Sequence, residues 1–264
     1  MLHLPRSAAL VARLEAVESA GSTNAELVRA ATADPAAWPA PAVLVTDFQS
    51  AGRGRLGRSW AASPGDSLAI SVLLRPDVPG ERLGWLSLAA GAAMVEALRG
   101  LGVDASGKWP NDVLIGGRKV CGVLAEATAD PSSASWRRGV VIGAGLNHAA
   151  PEGALPVPTA TSLAVEGGPT DPDVLVAAWL GRLLPLVRAL EEALGDADAS
   201  GLRAAVVAAT GTIGRRVRVT LPDGSSLTGT AEDVDVDGCV VVRAGSIGER
   251  TAIAAGDVEH LRYE

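Results

Sequence analysis

Apolar residues recur along this chain with two different periods. From residue 81 to 99 they fall at helical spacing, and a longer run of the same kind covers residues 171–194, with a shorter one near 200–209. Residues 5–17 show a brief amphipathic pattern that predicts a short helix. Another helix is predicted after Gly21, with Ser22 or Thr23 as its cap and Thr23-x-x-Glu26 matching a capping box ahead of Leu27 and Val28. "DPAAWPAP" is a loop by its prolines. Between the helices lie β-rich runs: "AVLVTDF" from Ala42, "SLAISVLLR" from Ser67 and "GVVIGAGLN" from Gly139. "KWPNDVLIGGRKVCGVLAEA", from Lys108, reads as two strands turned through Gly116-Gly117, and strict alternation would put Lys119, Cys121 and Val123 on one face.

After Gly211 the period is two throughout. "RRVRVTLPDG", "SLTGTAEDVD", "GCVVVRA" and "RTAIAAGDVEHLR" alternate between apolar and polar and are separated by Asp-Gly and Gly-Ser turns. This predicts a small all-β module the size of an SH3-like barrel, and two domains, residues 1–210 and 211–264.

Composition adds bounds. With 264 residues, 48% hydrophobic and 20% charged, the chain can bury a substantial core. No apolar run reaches the roughly 18 residues of a spanning helix. Arginines and acids are mixed through the N-terminus, unlike a secretory signal. Cys121 and Cys239 are far apart in apolar, strand-like text and predict buried free thiols, while His3, His148 and His260 lack metal-ligand spacing. Together these features predict a cytoplasmic protein without a membrane partner. The net charge of −7 argues against general nucleic-acid binding. The predicted β module adds little for base stacking, since Tyr263 is its only aromatic residue.

Against that acidic background, "QSAGRGRLGRSW", from Gln49 to Trp60, concentrates Arg53, Arg55 and Arg58. Its Gly52, Gly54 and Gly57 match G-x-G-x-x-G, but "RSWAASPGDS" follows, and its Pro and Gly forbid the helix that a dinucleotide turn requires. No G-K-[ST] follows either. Glycines that let the backbone approach a ligand, beside guanidinium forks, suit phosphate or carboxylate oxygens. Such a loop could fold over an anion and exclude water; a solvated charged turn would carry the same text. The scarce side chains point the same way. Lys108 and Lys119 are the only lysines, Gln49 is the only glutamine, and Asn24, Asn111 and Asn147 are the only asparagines.

"STN" at 22–24, "QSAGRGRLGRSW" at 49–60, "KWPNDVLIGGRKVCGVLAE" at 108–126 and "GAGLN" at 143–147 stand in an order and spacing that resembles the biotin–protein ligases. The resemblance covers nearly the whole chain. It implies an α/β (α+β) fold, a mixed sheet flanked by helices as in class II aminoacyl-tRNA synthetases, with an SH3-like barrel behind it. It also implies a two-step reaction. Biotin and ATP with Mg²⁺ would give biotinyl-5′-AMP, and the biotinyl group would pass to a lysine on the biotin carboxyl carrier domain of a carboxylase.

Family matching assigns Ser22, Thr23 and Gln49, with Asn24 beside them, to the ureido ring of biotin. Arg53, Gly54, Arg55 and Gly122 would hold the carboxylate and phosphate region, with Arg58 and Trp60 nearby. Asn111 and Asp112 would sit near the triphosphate and its Mg²⁺, and Asn147 at adenine. Lys119 is the leading catalytic candidate, with Arg53 and Arg55, because two repelling anions must meet and fixed cations neutralise the developing charge. Ser22 or Thr23 could equally be a plain helix cap, Asn111-Asp112 a turn, and Lys108 and Trp109 supports of the site. Two rivals remain open: a lipoate–protein ligase-like acyl-adenylate ligase, whose usual Arg-Arg-x-Ser-Gly-Gly-Gly stretch is missing, and a non-catalytic biotin or nucleotide sensor. Only 21 residues precede Ser22, too few for the DNA-binding module of some relatives, so a ligase without repressor function is expected. Leu56 stands where some relatives have a further arginine.

Overall fold

The computed structural model describes residues 1–128, 139–155, 157–245 and 248–261, so Tyr263 lies outside the described residues. The first element, α1 (Pro5–Ala8), is a single turn, and the chain then extends into β1 (Arg13–Ala16). The helix expected over 5–17 is therefore mostly absent. Arg13–Ala16 pair in parallel with Ala42–Val45 of β2 (Ala42–Thr46), and a tertiary ladder of hydrogen bonds outweighs a weak local helical period. The α1 turn is anchored by the backbone N–H groups of Arg6 and Ser7, which donate to the Asp173 carboxylate at 3.0 and 2.9 Å.

Helix α2 (Thr23–Ala33) starts one residue earlier than its predicted box. Ser22 is the cap, its Oγ accepting from the Ala25 N–H at 3.5 Å, and Glu26 reaches back to the Gly21 N–H at 2.6 Å. Thr23 is thus released from capping. A short hairpin of β3 (Gly52–Arg53) and β4 (Ser59–Trp60) follows β2, and then comes β5 (Ser67–Leu74). Helix α3 (Trp85–Gly100), β6 (Ala105–Lys108), β7 (Asp112–Ile115), β8 (Arg118–Ala127), β9 (Val140–Asn147), α4 (Pro172–Glu192) and α5 (Leu202–Ala209) complete the larger part.

Seven strands form one sheet in the order β1-β2-β5-β9-β8-β7-β6, antiparallel except for β1 with β2. Both faces are covered, as the uninterrupted apolar text of β2 requires. Val43, Val45, Ile70, Val72 and Ile142 pack into the large core with Trp85 and Met94 of α3 and Trp179 of α4. Leu44, Leu73 and Val141 turn the other way, onto Leu27 and Ala31 of α2. The helices expected over 81–99, 171–194 and 200–209 appear as α3, α4 and α5, with Asp171 capping α4 through two backbone N–H groups.

The remaining strands, β10 (Arg216–Thr220), β11 (Ser226–Val234), β12 (Val240–Ala244), β13 (Glu249–Ile253) and β14 (Asp257–His260), form an antiparallel sheet in the order β13-β12-β11-β10-β14. It docks on the larger part through tryptophan N–H groups: Trp85 Nε1 to Val236 O and Trp109 Nε1 to Gly238 O, both 3.2 Å. Cys121 is fully buried, and burial pushes its thiol up to about 12. Cys239 differs from expectation: it sits half-buried in the turn before β12. Among the described residues, no helix is long and apolar enough to cross a membrane.

Candidate functional site

On the face of the sheet that carries α2, the strands run out of large side chains. Gly122 of β8 and Gly143 and Gly145 of β9 leave a bare backbone floor. A Cβ at Gly145 would come 2.5 Å from a ring carbon of Trp60, and one at Gly143 would overlap Asn24. The glycines make room for an indole and an amide laid directly on the strands. The result is a cleft of about 230 Å³, roofed by the β3–β4 hairpin and closed at one end by Asp257 and Val258 of β14.

Lys119 enters this cleft through an irregularity. The β7–β8 register steps from Val113↔Cys121 to Leu114↔Lys119, leaving Val120 unpaired as a bulge. Cys121 and Val123 face the large core, whereas the Lys119 ammonium lies on the side of Gly122, whose added Cβ would come 2.9 Å from Nζ. The expectation that Lys119, Cys121 and Val123 share a face is corrected accordingly: one extra residue reverses the alternation. Lys119 Nζ pairs with Asp112 Oδ1 at 2.6 Å and stands 5.5 Å from the Trp60 ring centroid.

The arginine hairpin is folded, with each guanidinium already engaged. Arg53 pairs with Glu126 at 3.0 Å, Arg58 pairs with Asp257, and Arg55 Nη1 donates to Asn111 Oδ1 at 3.1 Å. Asn111 is fixed in turn by its Nδ2, which donates to Val123 O at 3.0 Å. Leu56 takes a left-handed conformation (φ 54°) at the exposed tip, followed by Gly57 at φ 73°. Trp60 Nε1 donates to Ser67 Oγ at 3.2 Å, which orients the indole across the glycine floor.

A neutral polar cluster lies beside Arg53, which it meets through Glu126. Gln49 Oε1 accepts from the Thr23 N–H at 2.8 Å and from Thr23 Oγ1 at 3.1 Å. Ser71 Oγ lies 2.8 Å from Thr23 Oγ1 and 2.7 Å from Asn24 Oδ1. The cleft thus offers hydroxyls and amides as well as cations, as a small acid with a polar head would require.

Ser22, Thr23, Asn24, Gln49, Arg53, Gly54, Arg55, Arg58, Trp60, Asn111, Asp112, Lys119 and Gly122 all line this one cleft, and Lys108 and Trp109 reach its edge. Asn147 does not. On β9 it follows Gly143 and Gly145 on the same face, paired in register with Ser67, and its buried side chain donates from Nδ2 to Thr161 O at 3.1 Å, which orders the segment that also bonds the Lys119 backbone. Sequence reasoning missed Ser71, Glu126 and Asp257. Glu126 stood inside a quoted motif, but Ser71 is one serine in an apolar strand, and Asp257 comes from the far end of the chain.

Residues 22–147 match the biotin/lipoate A/B protein ligase family, and residues 212–261 match the biotin protein ligase C-terminal domain. A Mycobacterium tuberculosis protein named biotin–[acetyl-CoA-carboxylase] ligase is 41% identical over 95% of this chain and 90% of its own. A Paracoccus denitrificans protein of the same name is 32% identical over 89% and 95%. A biotin protein ligase from Aquifex aeolicus, solved with biotin and ATP, superposes with a TM-score of 0.74 at 25% identity, covering 96% of this chain and all of that one.

Proposed function

The chain belongs to the biotin/lipoate A/B protein ligase family, and from that premise we propose that it joins biotin to a carboxyl carrier domain at the expense of ATP. A carboxylate oxygen of biotin attacks the α-phosphorus of ATP, and pyrophosphate leaves. The ε-amine of an acceptor lysine then attacks the carbonyl carbon of the mixed anhydride; AMP leaves and the amine loses its proton. Residues 1–210 would carry both steps, and residues 211–264 would be the appended β module. Full-length relatives named for biotin favour this reading over the lipoate alternative within the same family.

One observation carries the reading: Lys119, Arg53 and Arg55 line a single cleft together with a neutral, hydrogen-bonding cluster. In that cluster, Ser22, Thr23 and Gln49 would take the urea, whose carbonyl and two N–H groups need donors and acceptors together. Lys119 would sit between carboxylate and α-phosphate. Its partner Asp112 holds it ready, and substrate oxygens would replace that carboxylate as the ammonium's counter-ion. Arg53 and Arg55 would close on the same oxygens, with Arg58 and Trp60 on the nucleotide side.

Magnesium would arrive with the triphosphate and neutralise phosphate charge. Asp112 and Asn111 offer one carboxylate and one amide oxygen, hard donors of the kind that share this ion with phosphates. Among the described residues, no group of three or more His, Cys, Asp or Glu could hold a metal alone. Lys119→Ala is expected to lower pyrophosphate release by on the order of 10²-fold or more, and near-normal release would overturn the assignment. The activity itself is tested by incubating the protein with biotin, MgATP and a purified carrier domain. The carrier should gain the mass of one biotinyl group, and an unchanged mass refutes the proposal.

A further inference from the structure

A single carboxylate joins the neutral cluster to the arginine hairpin. Glu126, near the end of β8, accepts from Asn24 Nδ2 through Oε2 at 2.9 Å. Both of its oxygens also face Arg53 Nη2, at 3.0 and 3.1 Å. Asn24 is buried and has one place to be: its Nδ2 also donates to Leu124 O at 3.1 Å, and its Oδ1 accepts from Ser71 Oγ at 2.7 Å. A Cβ on Gly143 would occupy the space it fills. The Thr23 hydroxyl can donate to Ser71 Oγ at 2.8 Å, while the Thr23 backbone N–H donates to Gln49 Oε1 at 2.8 Å. A continuous run of hydrogen bonds therefore leads from Gln49 and Thr23, through Ser71 and Asn24, to Glu126 and Arg53.

The chemistry of this run is asymmetric. Gln49, Thr23, Ser71 and Asn24 are all neutral; Thr23, Ser71 and Asn24 are buried and Gln49 is partly buried, so their hydrogen bonds fix geometry. The Glu126–Arg53 contact is charged and half open to solvent, so it can exchange its partner at small cost. We propose that Glu126 is a positioning residue that seats Arg53 relative to the Asn24–Thr23 end, so that the loop cation is aimed before the acid and the nucleotide meet. This inference rests on the ligase reading and adds a role for a residue that touches neither reacting atom.

Glu126→Gln keeps an oxygen for the Asn24 amide and removes the charge that seats Arg53. Glu126→Ala removes both. With the full-length protein, initial rates of biotin-dependent pyrophosphate release are measured against biotin concentration. Glu126→Gln should lower kcat roughly fivefold at an unchanged KM for biotin, the size expected for a partly exposed ion pair. Glu126→Ala should lower kcat similarly and raise the KM for biotin about tenfold, because a buried amide loses its acceptor. In an Arg53→Ala background, Glu126→Gln should cause no further loss of kcat. The proposal fails if Glu126→Gln has wild-type kcat, if it raises KM as much as alanine does, or if it slows the Arg53→Ala protein as strongly as the native one. A wild-type protein that releases no biotin-dependent pyrophosphate would instead sink the ligase reading on which the inference rests.

Discussion

Lysine at position 119 meets a demand that the arginine favoured elsewhere in this chain would serve poorly. Of 23 basic residues, two are lysine, and this one is packed against a bare glycine, an aspartate and an indole face. A compact ammonium fits between two oxygens there, while a planar fork would spread over the space the glycine leaves. Lys119→Arg should therefore fail to restore pyrophosphate release, although it keeps the charge; recovery to within a few-fold of wild type would mean that charge alone suffices. The floor makes an independent test. A methyl group at residue 145 would come 2.5 Å from the Trp60 ring, so the indole must move. Gly145→Ala is expected to raise the KM for ATP with little change in thermal unfolding, and a wild-type KM would remove Trp60 from the nucleotide side.

The hairpin of β3 and β4 is the element that concentrates the positive charge, and it is built with little to hold it. Two pairs of residues make its ladder, Leu56 occupies a left-handed conformation costing about 1–2 kcal/mol for a residue with a Cβ, and its tip is exposed. Its guanidiniums rest on Glu126, Asn111 and Asp257, contacts that substrate oxygens can replace. Trypsin should cut at Arg53, Arg55 or Arg58 in the free protein and be slowed when biotin and ATP are added. Equal cutting with and without ligand would contradict ordering on binding. Arg55→Ala should let biotinyl-AMP escape into solution during turnover, and unchanged retention would show that the hairpin does not grip. The β8 bulge is the complementary case of an element fixed by register. The motif containing Lys119 was legible in the sequence, but its facing was not, because an unpaired residue is invisible to a period-two pattern.

At the scale of the whole molecule, the C-terminal sheet is tied to the cleft. The Trp109 N–H donates to Thr212 Oγ1 at 3.1 Å, and Thr212 Oγ1 lies 2.9 Å from His260 Nε2 on β14. Burial, and then the charges of Arg215 and Lys108, push the His260 imidazole down to about 4. Its folded pKa lies below its unfolded value, so the unfolded chain takes up the proton first as pH falls. Stability from this source is complete above about pH 6.5 and is lost progressively down to about pH 4. His260→Gln should flatten that part of the curve of melting temperature against pH, and an unchanged slope would place the titration elsewhere. The same docking brings Asp257 to the cleft, and with it a contact between the hairpin and the last strand.

Sequence alone determined the helices α3, α4 and α5, the change of period along the chain, and many of the residue types that line the cleft. Periodicity, caps and turn residues are local, and scarce side chains stand out in a biased composition. Tertiary structure decided the rest. It drew residues 13–16 out of a helix and into a parallel pair, turned Lys119 away from Cys121, bound the Asn147 amide to Thr161, and brought Ser71, Glu126 and Asp257 to the site. The physical reason is common to all of these. Which partner a strand meets, and which side of a sheet a residue faces, depend on contacts between segments far apart in the chain, and no window of neighbouring residues contains them.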